Sequence, residues 1–305
     1  MSDQNAPHGG DDTSTTRIDL GSGPGDGSDG SDAPARSETP TTADRVRQVV
    51  VLVGSLVAIA GAAWGSGAFG GTPIEEAAGG ALSATATPVA PDTPAFSIWS
   101  VIYVGLFAFA VYQVLPKQGA NPRLRAVAWW VLASMLLNAA WIGVVQAGWL
   151  WASVAVIAAL LAVLAVVLVR LVRTPASGLA ESIVTDVTVG LYLGWVSVAT
   201  LADVAATLAA SDVGELGLGA TWWSVIVVGA GAALAVAYAV FAAGRPVVAI
   251  AVGAAMAWGI GWIAAGRFNG PLIDETVAIA AAVAAAVAIV APLVTTLSRP
   301  RAPRA

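Results

Sequence analysis

The stretch Leu191–Asp203, LYLGWVSVATLAD, lies inside a long apolar run and carries Tyr192, Trp195, Ser197, Thr200 and Asp203. Asp203 is the most deeply placed acid in any apolar run of the chain. A carboxylate at that depth in a bilayer is costly, so a partner satisfies it or a function uses it. On a helix, Tyr192, Val196, Ala199 and Asp203 share one stripe, with Trp195 at its flank. The run reads as a membrane span with a polar-aromatic face, and the other apolar runs read as walls around it.

The whole chain has the matching composition. Of 305 residues, 57% are hydrophobic and 11% charged, against about 25% charged in soluble domains; the mean hydropathy is +0.79. Eight apolar blocks, each near the ~20 residues that cross a bilayer core, run approximately 46–68, 96–115, 125–147, 149–171, 182–209, 221–243, 246–266 and 275–297. The connection 69–95 is the only long one, and it holds Pro73, Pro88, Pro91 and Pro94 with Glu75, Glu76 and Asp92. The Ala147–Gly148 link is so short that spans three and four form a tight antiparallel pair.

Residues 1–44 carry nine of the 19 acids and almost no large apolar side chains. Such a segment cannot bury enough surface to offset its ordering entropy, and it reads as a disordered acidic cytoplasmic tail. It lacks the basic start and early apolar core of a signal peptide. Residues 299–305 form a basic C-terminus on the same side.

Basic residues set the orientation. With eight spans, 13 of the 14 Lys and Arg fall on one side, and only Arg267 falls on the other. Both termini are expected in the cytoplasm, with the chain in the plasma membrane. Trp64, Trp99, Trp141, Trp149, Trp151, Trp222, Trp223 and Trp262 gather near the outer ends of their spans, with Trp258 one turn deeper. Trp129 and Trp130 lie on the inner half, and Trp195 lies near mid-span. An interfacial aromatic belt accounts for the adjacent pairs, and less well for Trp195 and Trp258.

Three helical constellations stand out. Trp99 and Tyr103, in FSIWSVIY, are four apart and share a face. Asn138 and Trp141, in LLNAAW, share another, with Ser134 one turn earlier. Gly190 and Gly194, like Gly61 and Gly65, form small-xxx-small pairs that permit close helix approach. Asp203 has three readings: a carboxylate near the outer interface, hydrated or paired with Asn138 or a tyrosine; a ligand contact; or a coupling site for protons or sodium. Asp186 and Glu181, at the inner end of the same span, read as solvated.

Other chemistry lacks its residues. There is no cysteine, and the only histidine, His8, lies in the tail. No nucleophile–base arrangement can be assembled without His, Cys or a deep Lys, and no phosphate loop or metal-ligand spacing occurs. No catalytic residue, metal ligand or required cofactor is therefore assigned, and nothing supports nucleic-acid binding. The remaining feature is a Trp-rich cavity facing outward, suited to a flat apolar ligand.

These residues resemble the TspO/MBR family, the tryptophan-rich sensory proteins related to the mitochondrial translocator protein. Trp99 and Tyr103 match its second-helix pattern, Leu137, Asn138 and Trp141 its third-helix pattern, and Trp195, Ser197, Ala199 and Thr200 its fifth-helix pattern. Asp203 stands where Asn is usual, and Pro91 and Pro94 are displaced from the usual position before the Trp. The resemblance covers roughly residues 46–210 and implies a five-helix core whose long first loop closes over a pocket. It implies a porphyrin or other haem-type tetrapyrrole, or a sterol-like molecule, as ligand, with weak light-dependent porphyrin breakdown as the one chemistry. By resemblance, Trp99, Tyr103, Asn138, Trp141, Trp195, Ala199 and Asp203 line the site. An ionised Asp203 would repel propionates.

The expectation is an all-α, polytopic integral membrane helical bundle of eight transmembrane helices. It comprises the tail 1–44, a TspO-like five-helix core over 45–210, a three-helix extension over 211–298 and the C-terminus 299–305. The extension is left to complete the bundle, replace a homodimer interface or reshape the pocket. The expected function is a membrane sensor that binds a flat hydrophobic small molecule; the alternative is a secondary transporter with Asp203 as coupling site.

Overall fold

The computed structural model describes residues 39–66, 72–215 and 217–298. The tail up to residue 38, the C-terminus 299–305 and five of the arginines used for orientation, Arg17, Arg36, Arg299, Arg301 and Arg304, lie outside the described residues. The described residues contain helices and no strand. Eight helices are long and apolar enough to cross a membrane. They are α1 (Thr42–Gly65), α2 (Thr93–Tyr112, opening with a 3-10 turn), α3 (Pro122–Gln146) and α4 (Leu150–Arg173). Then follow α5 (Leu179–Ala210), α6 (Gly219–Phe241), α7 (Pro246–Asn269) and α8 (Glu275–Leu297). The chain is a multi-pass membrane protein.

Local chemistry sets several helix ends. Thr41 and Asp44 form a reciprocal capping box, so the last residues assigned to the tail are in fact the first turn of α1. Asn121 caps α3, its side chain accepting from Arg123 N at 2.9 Å, with Pro122 in the first helical position. Asp274 caps α8 by accepting from Val277 N at 3.1 Å. The α3–α4 connection turns on Gly148 at φ 75°, a conformation that glycine adopts without steric cost.

Packing runs from α1 through α3 and α4 to α5, then from α5 through α7 to α8 and α6, with α2 against α1 and α5. The α5–α7 contact depends on missing side chains. A Cβ on Gly190 would meet Ala251 Cβ at 2.6 Å, and one on Gly194 would run into the Val252 carbonyl. Gly253 lets α7 approach the backbone of α8 at Ala288 in the same way. The second expected glycine pair does not behave as a unit. Gly65 faces Ile142, but Gly61 has nothing near it.

The helix ends that carry most of the basic residues are tied by buried and half-buried ion pairs. Arg125 holds Asp44 in a two-bond fork at 2.8 and 2.6 Å. Arg123 pairs with Asp186 and donates through Nε to the Thr174 carbonyl at 2.9 Å. Glu181 accepts from Ser177 N at 2.8 Å, from the Ser177 hydroxyl and from Asn121. The solvated reading of Asp186 and Glu181 is thus corrected, because both are buried. Both face the start of α3, where Arg123 and Asn121 hold them; Asp186 lies within a π-helical stretch, Ser182–Val187, and Glu181 directly precedes it.

Candidate functional site

Residues 72–92, between α1 and α2, form a folded lid. It contains one turn at Ala77–Gly80 and buries Ile74, Ala77 and Val89, and Ala95 in the opening turn of α2 is buried beside it. Neighbouring helices hold it through its backbone. From α3, Gln146 Nε2 donates to the Gly65 and Thr72 carbonyls, each at 2.8 Å. From α7, Arg267 donates to the Thr87 carbonyl at 3.0 Å and the Ala84 carbonyl at 2.6 Å. Trp258 Nε1 donates to the Ala95 carbonyl at 2.9 Å, and the Trp262 carbonyl accepts from Asp92 N at 3.3 Å. Arg267 is 0% exposed, so the lone arginine of this side is a buried tie.

Beneath the lid lies a cluster of rings. Trp195 meets Phe96 edge-on at 5.7 Å and Trp99 edge-on at 6.2 Å. Trp99 stacks on Tyr103 at 5.2 Å and meets Tyr192 edge-on at 5.9 Å. Gly259 of α7 packs beside this cluster, where a Cβ would press on Val198 Cγ1 at 3.0 Å and only touch the Trp195 ring at 3.4 Å. Trp195 and Trp141 are 2% and 7% exposed, whereas Trp64, Trp149, Trp151 and Trp222 are exposed, as belt residues are. The tryptophans therefore separate into a belt and a buried set.

Two cavities open around the rings. The first, about 40 Å³, is lined by Trp141, Trp195, Ala199 and Asp203 from the helices and by Thr87 and Phe96 among others. The second, about 210 Å³, is lined by Trp99, Tyr103, Trp141, Phe96 and the lid residue Glu75 among others. Ile74, Phe96 and Trp141 belong to both and form the partition. Small-molecule pockets usually hold about 300–1,000 Å³, so a ring system of tetrapyrrole size requires the lid and partition to move.

Six of the seven expected site residues line these cavities. Asn138 does not. It is buried behind Tyr103 and donates Nδ2 to the Tyr103 hydroxyl at 3.1 Å. The expected pairing of Asp203 with Asn138 or a tyrosine is also corrected. Tyr192 donates to the Ser134 carbonyl at 3.0 Å, while Asp203 is contacted by Ser153 Oγ, 3.0 Å from each carboxylate oxygen. The tight α3–α4 turn brings the first turn of α4 beside the last turns of α5, which places Ser153 there. Ser153 also contacts the Leu150 carbonyl at 2.7 Å. One hydroxyl has one proton, so it cannot serve Leu150 and Asp203 together. The Trp141 indole N–H faces the same carboxylate without closing a well-formed hydrogen bond.

Sequence reasoning missed Ser153, Arg267 and the lid residues Thr87 and Glu75. Only Arg267 left a signal, as the single basic residue on its side. No group of His, Asp, Glu or Cys able to hold a metal occurs among the described residues.

Fold and site together define a class: a polytopic helical membrane protein with a lidded, aromatic-lined intramembrane site. The sequence model of the family described as TSPO-like protein matches residues 48–294. The chain belongs to this TSPO-like family. The matched range continues through α6 and α7 and into α8. No curated protein and no solved structure matches the chain.

Proposed function

We propose that the protein is a membrane sensor that binds a flat hydrophobic ligand of the tetrapyrrole class beneath the lid. The observation that carries this reading is the edge-on cluster of Phe96, Trp99 and Trp195 between two cavities closed by one lid. Such ring faces suit a planar apolar molecule. The family also supports a TspO-type role. The positive-inside distribution supports a plasma-membrane orientation with both termini in the cytoplasm and the lid outside. Light-driven breakdown of a bound porphyrin through these tryptophans is a secondary activity of the same reading.

The test is titration of the detergent-purified protein with the neutral dimethyl ester of protoporphyrin. Saturable quenching of Trp fluorescence is expected, weakened in Trp99→Phe and Trp195→Phe. Quenching that rises without saturation would reject the proposal.

A second reading, a secondary transporter coupled through Asp203, is favoured by one observation: Asp203 is 1% exposed and has only a serine hydroxyl as a closed hydrogen-bond contact. It predicts gradient-driven uptake into liposomes that disappears in Asp203→Asn. Flux that survives the substitution would remove it.

A further inference from the structure

The charges around the two cavities are one-sided. Asp203 is the charged residue lining the smaller cavity, and Glu75 is the charged residue lining the larger one. Among the described residues, no basic side chain lines either. Arg267 is the sole basic residue that the eight-span topology puts on this side. It lines neither cavity, and its two terminal nitrogens are already engaged by the carbonyls of Thr87 and Ala84. A ligand carboxylate would therefore meet an acid and no counter-charge in the lining of either cavity, where low dielectric magnifies repulsion.

The opposite charge meets a prepared site. Asp203 has acceptor capacity for about four hydrogen bonds, yet its closed contact is Ser153, whose single proton is contested by Leu150. Around Asp203 stand the rings of Phe96, Trp141 and Trp195, which line the same cavity. A carboxylate within an aromatic wall is the arrangement that attracts an organic cation, through charge pairing and ring quadrupoles together. A second observation indicates that the space is made for a ligand. Thr87 Oγ1 and Trp195 Nε1 are buried without a hydrogen-bond partner, and both residues line this cavity. Buried polar groups left unpaired are costly, so a ligand acceptor that meets them adds affinity.

We infer that the site selects for positive charge: its ligand is a planar ring system carrying a protonated amine that pairs with Asp203, and free carboxylates on the ring are excluded. This rests on the ligand-binding reading above and narrows it. Glu75, on the lid, faces the larger cavity and extends the same preference to its mouth.

The experiment varies charge on one macrocycle. Protoporphyrin is used with its two propionates free, as the methyl diester, and as the bis(aminoethyl) amide, giving an anion, a neutral molecule and a cation. Wild-type protein is expected to bind in the order cation, neutral, anion, with about tenfold or more between the extremes. Asp203→Asn, which keeps the shape of the side chain, is expected to bring the cation and anion affinities together. Glu75→Gln, on the lid, is expected to narrow the spread by a smaller factor. Equal binding of the three by wild-type protein, or tighter binding of the anion, overturns the charge inference while the ligand-binding reading stands. Loss of saturable binding for all three overturns the reading itself. The wild-type order needs no variant, so misfolding of a mutant leaves the test intact.

Discussion

Arg267 Nη1 donates to the Thr87 carbonyl at 3.0 Å, a hydrogen bond that ties α7 to a lid 180 positions earlier in the chain. The same guanidinium reaches Ala84, and Trp258 reaches Ala95 from the same helix. The lid is thus anchored to a helix outside the five that the motifs describe. Any movement of the lid away from α7 at Ala84–Thr87 breaks these hydrogen bonds.

Arg267→Met keeps the apolar stem and removes the donors. Each hydrogen bond from a charged donor contributes about 1.5–3 kcal/mol, so a loss of about that size or more is expected in detergent thermal unfolding. Ligand association should accelerate because the lid opens more often. Stopped-flow quenching checks this; an unchanged association rate would show that the lid does not gate entry.

The α5–α7 seam gives a second prediction. Gly194→Ala places a methyl against the Val252 carbonyl and is expected to destabilise by about 1–3 kcal/mol. Gly61→Ala, in open space on α1, should stay within about 0.5 kcal/mol of wild type. Equal effects at the two positions would contradict the packing described.

At the other end of the bundle, Arg123→Ala removes the cation that pairs with buried Asp186 and lies nearest buried Glu181, and Asp186 keeps only the Ser182 hydroxyl. Removing one partner of a buried pair costs about 3–5 kcal/mol. Asp186→Asn in the same background should recover part of that loss, as measured by thermal unfolding of the two proteins side by side.

The helices were legible because each apolar block has the length of a span and short polar joints separate the blocks. The rank of α7 was not legible. Its sequence is Ala, Val and Gly on most faces, so hydropathy cannot distinguish a helix surrounded by protein from one facing lipid; its burial follows from Gly190 and Gly194 on α5. Most of the aromatic cluster was readable from residues four apart, such as Trp99 and Tyr103. The partner of Asp203 was not, since Ser153 lies 50 positions away on a helix without a motif. Glu181 and Asp186 looked solvated because acids at a span's end usually are, and their partners Asn121 and Arg123 lie 60 and 63 positions away at the start of another helix.

The most direct test of the central claim is quenching of individual tryptophans by protoporphyrin dimethyl ester. The account predicts saturable quenching that falls in Trp99→Phe and Trp195→Phe and persists in the belt variants Trp149→Phe and Trp222→Phe. Quenching that is unsaturable, or that falls equally in the belt variants, would contradict it, since the ring would then be dissolving in detergent around the helices rather than binding beneath the lid.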